Sequence, residues 1–222
     1  MLAVAVDGPA GAGKSSLARA AAHSLGCLYI DTGALYRAVA LYALRQSADP
    51  CSAAAVEPLL AGIALALRHN GGTQQVFLGD EDVSEEIRRP EVSAAASKVA
   101  AHPCVRTFLL GLQRRLASEQ DVIMDGRDIG TVVLPDAQVK IFLTASPEER
   151  ARRRMLELQE KGTSVSFEQV LAEIHNRDYQ DTYRAAAPLR QADDAILLDT
   201  SALTFEEALA QLLHLIRQGG QP

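Results

Sequence analysis

Near the start of the chain, Gly8-Pro9-Ala10-Gly11-Ala12-Gly13-Lys14-Ser15 has the spacing Gly-x-x-x-x-Gly-Lys-Ser. Glycines at these intervals let a backbone curl until its N–H groups converge on phosphate oxygens. A lysine closing such a loop reaches the β and γ phosphates of a nucleoside triphosphate, and a serine hydroxyl suits a hard magnesium ion. The loop, continued by Ser16, follows an apolar run at residues 2–6 and precedes an alanine-rich helical pattern. In that strand-loop-helix context the helix N-terminus adds its positive dipole end to the anion site. Residues 8–16 are therefore expected to bind a nucleoside triphosphate with Mg2+, with Lys14 on the β and γ phosphates and Ser15 on the metal.

A transfer reaction needs a second site, and the basic residues offer candidates. Of 22 basic residues, 18 are arginines and four are lysines; guanidinium forks match phosphate oxygens two at a time, although genome composition also explains such a bias. Asp31-Thr32-Gly33-Ala34-Leu35-Tyr36-Arg37 sets a hydroxyl, an aromatic ring and an arginine at a helix start, where Arg37 is a phosphate ligand or a surface residue. Asp125-Gly126-Arg127-Asp128-Ile129-Gly130 sets Arg127 and Asp128 in a loop whose glycines are expected to free the backbone; the couple reads as a phosphate and base grip or as a loop ion pair. From Ser166, a stripe of Phe167, Val170, Leu171 and Ile174 continues at the same angular position as Arg177, Asp181 and Arg184. That face is leaving the core for a polar cleft, or its charges pair internally. Arg150, Arg153 and Arg154 share a helical face with Glu157 and either cover the transferred group or form solvated pairs.

These residues need a scaffold. Short apolar runs at 2–7, 28–31, 121–125, 138–143 and 195–199 alternate with helical patterns or loops, which predicts an α/β fold: a five-stranded parallel sheet flanked by helices. Asp7, Asp31, Asp125 and Asp199 close four of the runs and fall at the carboxyl edge, where open α/β sheets bind ligands; for Asp7 and Asp199 capping a turn or helix is an equal reading. Gly26 ends the first helix, Thr32 is expected to cap the next, Pro103 starts another, and Ser146-Pro147-Glu148-Glu149 reads as a capping box. Between residues 63 and 83 the apolar period changes to two, with a turn at Asn70-Gly71-Gly72, which predicts an inserted antiparallel sheet. Residues 159–164 are polar enough for a mobile flap, and residues 218–222 read as a frayed tail.

The 222 residues suffice for one α/β core with excursions. A hydrophobic content of 48% and mean hydropathy of 0.00 suit a folded protein, and the longest uncharged apolar stretch, residues 59–67, is too short to span a bilayer. A net charge of −6 disfavours nucleic acid as a partner. Cys27, Cys51 and Cys104 form no Cys-x-x-Cys pair and read as reduced packing residues; with no leader pattern, a cytoplasmic location is expected.

With these pieces placed, the chain resembles the bacterial-type cytidylate kinases, nucleoside monophosphate kinases of the phosphate-loop class. The resemblance rests on residues 7–15, 31–37, 91–106, 125–128 and 176–184 in order, and on the inserted sheet. It implies transfer of the γ-phosphoryl group of ATP to CMP and dCMP, by a monomer acting on small molecules. It also implies one phosphate-loop kinase domain over residues 1–222. The core comprises about 1–31, 119–154 and 185–222, the monophosphate-binding region with the β insert about 32–118, and a short lid about 155–166. Ser97, Arg106 and Asp128 match cytosine-reading positions, Arg177 and Asp181 ribose contacts, and Arg37, Arg127 and Arg184 phosphate-binding positions, with Tyr36 beside them. Lys14, Arg127 and Arg184 are the expected catalytic groups, Thr32 an acceptor contact, and Arg153 and Arg154 contacts to ATP. Thr32 and Ser15 stand where relatives carry Ser and Gly; the first keeps a hydroxyl and the second supplies the magnesium ligand. Rival readings are a phosphate-loop kinase for another acceptor and a GTP-operated switch, against which stands the lack of an Asn-Lys-x-Asp motif.

Overall fold

A computed structural model describes residues 1–70, 73–160 and 162–220 of the chain. Gly71 and Gly72 of the expected turn, Lys161 of the expected flap, and Gln221 and Pro222 of the expected tail lie outside the described residues.

The central parallel sheet has five strands: β1 (Ala3–Asp7), β2 (Leu28–Asp31), β6 (Val122–Gly126), β7 (Val139–Thr144) and β8 (Ile196–Asp199), in the order β2-β6-β1-β7-β8. All five expected runs are strands. β1 is a continuous apolar run with Val4, Ala5 and Val6 fully buried, as a strand covered on both faces must be. Its register pairs Val6 with Asp125 and Asp7 with both Gly126 and Phe142, while Thr144 pairs with Asp199. Strand ends are thereby level, and their polar residues collect at one edge.

Two compact units divide the chain. The first holds residues 1–27 and 122–222, with helices α1 (Lys14–Leu25), α6 (Pro147–Glu160), α7 (Phe167–Tyr183) and α8 (Phe205–Gly219). The second holds residues 28–121, where α2 (Thr32–Arg45), a short α3 (Ala53–Val56), α4 (Pro90–Val99) and α5 (Pro103–Glu119) pack a core that includes Leu35, Val39, Val99, Val105 and Leu109. It also carries the inserted antiparallel sheet of β3 (Leu65–Asn70), β4 (Thr73–Leu78) and β5 (Glu81–Asp82). The expected change of period from helix to strand is realised there.

Punctuation mostly follows the sequence. Gly26 closes α1 in the left-handed region at φ 70°, Pro103 opens α5, and the Ser146 hydroxyl accepts from the Glu149 N–H. Two expectations are corrected. Asp31 caps α2, its carboxylate accepting from the Ala34 N–H at 3.0 Å, so Thr32 is a buried residue of the first turn instead of the cap; a carboxylate competes well for the helix dipole. Gly126 belongs to β6 and Gly130 to a π-turn, and neither has a positive φ; a Cβ at Gly130 would lie 3.2 Å from the Lys140 side chain, a tight approach that this side chain would have to relieve. Gly8 is the stricter case, at φ 148° with an added Cβ falling 1.9 Å from the Leu143 carbonyl oxygen of β7. Only glycine lets the chain leave β1 so close to its neighbouring strand.

Candidate active site

The phosphate loop turns directly into α1, whose cap, Gly13, has φ 87° and no side-chain acceptor, and whose first turn carries no acid. The dipole end of α1 is thus left for an anion from outside. Ser15 follows at the helix start and Ser16 is exposed beside it. Lys14 is buried and donates from Nζ to the Pro9 carbonyl at 2.7 Å. Burial, aided by the nearby Arg127 and Arg177 charges, holds Lys14 well below its ordinary pKa of 10.5, against the pull of Asp125 and Asp181. An ammonium so disfavoured gains much from phosphate oxygens.

The Ser15 hydroxyl donates to Asp125 Oδ2 at 2.9 Å, across the junction of α1 with β6. These two hard oxygen donors fit magnesium, which takes one or two protein ligands and completes its shell with phosphates and water. Among the described residues no group of three or more His, Cys, Asp or Glu side chains could hold a metal ion. Asp125 was legible only as a strand-end carboxylate; its pairing follows from β6 lying next to β1.

Asp7 takes the capping role, though not for the turn that follows it. Its two oxygens accept from the Ile129 and Gly130 N–H groups at 2.8 and 2.7 Å, pinning the π-turn that follows Arg127 and Asp128. Burial drives its pKa up from 3.8 to about 6 despite those two hydrogen bonds. Because the folded value lies above the unfolded one, the native state binds the extra proton between them, and stability falls as pH rises from about 4 to about 6. Urea titrations across that range should show the stability difference between wild type and Asp7→Asn changing by about 3 kcal/mol in that direction. A difference independent of pH would show that Asp7 is not perturbed.

A charged cluster in the same unit acts on Lys14 through Arg127, Arg177 and Asp181. Arg127 donates from Nε to Asp181 Oδ2 at 2.8 Å, and Arg184 lies 3.6 Å from both Asp181 and Asp128. Burial pushes Asp181 up, but Arg127, Arg184 and Arg177 together outweigh it and hold the carboxyl below its usual range. The charges of the α7 stripe pair with one another, as one of the two sequence readings expected, and those of Arg177 and Asp181 also bear on Lys14. Arg127 pairs with Asp181, fifty-four positions away, and not with adjacent Asp128. Arg177 is exposed on α7, and Arg184 stands just past its end.

Three of the four α6 arginines, Arg150, Arg153 and Arg154, have different surroundings. Arg150 is buried and bonded to four oxygens; Arg153 donates to Glu149, to the Thr200 hydroxyl and to the Thr200 carbonyl, the last at 2.7 Å. The Arg153 guanidinium lies 3.9 Å from the point where a Gly13 Cβ would stand, so it borders the phosphate loop. Arg154 is exposed and pairs with Glu157, a solvated pair. Asp199 accepts from the Ser201 N–H and hydroxyl, a turn-capping role.

In the second unit, Arg37 donates to Asp31 Oδ2 at 2.7 Å, with both side chains largely sheltered. Arg106 lies over the Tyr36 ring, 5.5 Å from its centroid, and donates to the Ala100 carbonyl. Ser97 is half-buried on α4. Thr32, Tyr36 and Arg37 thus share the first turns of α2.

A family model described as cytidylate kinase matches residues 4–218. Similar proteins include a cytidylate kinase of Mannheimia succiniciproducens, 51% identical over 98% of this chain and 96% of its own length. Another, from Caldicellulosiruptor bescii, is 50% identical over 96% and 94%, and one from Mycobacterium leprae is 49% identical over 98% and 96%. Among solved structures, a Thermus thermophilus protein superposes with a TM-score of 0.50 at 20% identity, covering 100% of this chain and 98% of its own. Shikimate kinase from Bacteroides thetaiotaomicron does so with a TM-score of 0.50 at 12% identity over 97% and 98%. At such identities the structural likeness speaks for the fold alone.

Proposed function

The chain belongs to the cytidylate kinase family, and we propose how its residues divide the work of that activity. The reaction is transfer of the γ-phosphoryl group of ATP to CMP, giving ADP and CDP, with dCMP as a second acceptor. The observation that carries the reading is the convergence, within one unit, of Lys14, the Ser15–Asp125 pair and the Arg127–Asp181–Arg184 cluster. Phosphoryl transfer asks for in-line positioning and neutralised charge, and these groups supply both. Residues 8–16 hold the donor phosphates, with Arg153 bordering them; Ser15 and Asp125 hold the magnesium, which when bound neutralises β and γ oxygens.

Arg37, Arg127 and Arg184 take the acceptor phosphate, Arg177 and Asp181 the ribose, and Ser97, Arg106 and Asp128 the cytosine, with Tyr36 and Thr32 beside them. No general base is required, because the acceptor phosphate is already ionised at neutral pH. Residues 155–166 act as a short lid that keeps water from the transferred group. The free cysteines suit a reducing compartment such as the cytoplasm, the acidic charge suits small-molecule substrates, and among the described residues no helix is long and apolar enough to cross a membrane.

The test is ADP release from Mg–ATP with CMP, dCMP, UMP, AMP, dTMP and no acceptor in turn. Turnover with CMP and dCMP at least tenfold above the others is expected. ATP binding without use of any monophosphate would remove the acceptor assignment and leave only the donor site.

A further inference from the structure

Arg150 sits at the first turn of α6, is 3% exposed, and places every guanidinium nitrogen on an oxygen of this unit. Nε donates to the Ala145 carbonyl at 2.9 Å, Nη1 to the Ala10 carbonyl at 3.1 Å, and Nη1 and Nη2 form a fork on the Asp178 carboxylate at 2.9 and 2.6 Å. Its Cβ packs 3.3 Å from where a Gly11 Cβ would stand, and Gly11 has φ 76°. The arginine is therefore fitted against the middle of the phosphate loop, and it belongs to neither set of proposed ligands.

A trans peptide points its C=O and its following N–H in opposite directions. A carbonyl facing a triphosphate would repel it, whereas an N–H facing it is the loop's means of binding. Holding the Ala10 carbonyl on Arg150 fixes the Gly11 N–H on the far side of that peptide plane. The same guanidinium is held in place by Asp178, which lies on α7 between Arg177 and Asp181.

We infer that Arg150, held by Asp178, is a positioning residue that sets the orientation of the Ala10–Gly11 peptide and so prepares the phosphate loop for the donor. The inference rests on the assignment of residues 8–16 to ATP. It also makes a prediction whose sign a direct ligand would not share. Asp178 is an acid near a site for a highly charged anion, so Asp178→Asn removes a repulsive charge and frees the arginine; if Arg150 were simply a phosphate ligand, ATP would bind more tightly. A positioning role requires the opposite.

The experiment is calorimetric titration of Mg2+ with a non-hydrolysable ATP analogue into wild type, Asp178→Asn, Arg150→Lys and Arg150→Met, with each variant's melting temperature recorded. Expected are a dissociation constant about fivefold weaker for Asp178→Asn and more than tenfold weaker for Arg150→Met. Arg150→Lys, which keeps one donor for the Ala10 carbonyl, should recover part of the loss. In steady state the defect should appear in KM for ATP more than in KM for CMP. Unchanged or tighter binding by Asp178→Asn overturns the inference, as does an Arg150→Lys variant that is folded and no better than Arg150→Met. Were Arg150→Met to unfold, the Asp178→Asn and Arg150→Lys results would still decide. Wild type that fails to bind the analogue would overturn the donor assignment itself, and with it this inference.

Discussion

Replacing Lys14 by methionine should abolish most of the turnover while leaving the fold as stable as before or more so. The two effects have one origin. In the protein alone the ammonium is buried, its contact is the Pro9 carbonyl at 2.7 Å, and burial with the Arg127 and Arg177 charges disfavours its ionised form. Keeping it there costs stability, and methionine, of similar length, removes that cost. Phosphate oxygens are the acceptors that make the charge favourable, most of all as negative charge shifts toward the leaving oxygen. Loss of one such preorganised donor lowers turnover by about 10²–10³-fold, or roughly 3–4 kcal/mol. The checks are kcat/KM for ATP and a thermal melt on the same sample. A variant that keeps a tenth of wild-type turnover would place Lys14 outside the chemistry. A variant that loses activity only because it melts earlier would make the lysine structural. A further consequence follows from the depressed pKa: triphosphate binding should take up protons at alkaline pH, visible as a binding enthalpy that changes with the ionisation enthalpy of the buffer.

What could be read from the sequence was whatever is local. The phosphate loop is one contiguous motif, and the α7 stripe from Phe167 to Asp181 announces itself by period, so both are legible in the sequence. The inserted antiparallel strands were visible because the apolar spacing changed to two. Illegible were the relations that depend on strand order and on helix placement. Asp125 ends the third apolar run, but only the order β2-β6-β1-β7-β8 puts it beside Ser15, and nothing in the run order distinguishes β6 next to β1 from β6 at an edge. Arg150 looked equivalent to Arg153 and Arg154 because a helical face reports angle and not neighbours; its partners are Ala10 and Asp178, 140 and 28 positions away. Asp31, not the expected Thr32, caps α2 for a smaller reason. Both residues can cap, they are adjacent, and the carboxylate already present at the strand end was better placed to accept from Ala34.

Arg127→Ala should cost far more in turnover than in stability, and the reason lies in how many cations surround Asp181. Arg127 makes a hydrogen bond of normal length to that carboxylate, at 2.8 Å, while Arg184 stands 3.6 Å away and Arg177 also lowers its pKa. Removing Arg127 leaves the acid with two compensating charges, and Arg127 itself is 19% exposed, so water can reach the gap. The expected stability loss is about 1–2 kcal/mol, below the 3–5 typical of a buried ion pair stripped of its only partner. On the proposed assignment Arg127 meets phosphoryl charge beside Lys14, and its loss should lower kcat by about 10²–10³-fold. Asp181→Asn separates the two roles: it keeps Arg127 while removing the acid that orients it, so it should retain more turnover than Arg127→Ala. Urea unfolding and single-turnover rates of both variants are the measurements. If Arg127→Ala loses equal free energy in folding and in turnover, and Asp181→Asn reproduces both losses, the couple is a structural ion pair and the acceptor phosphate must be held by other residues.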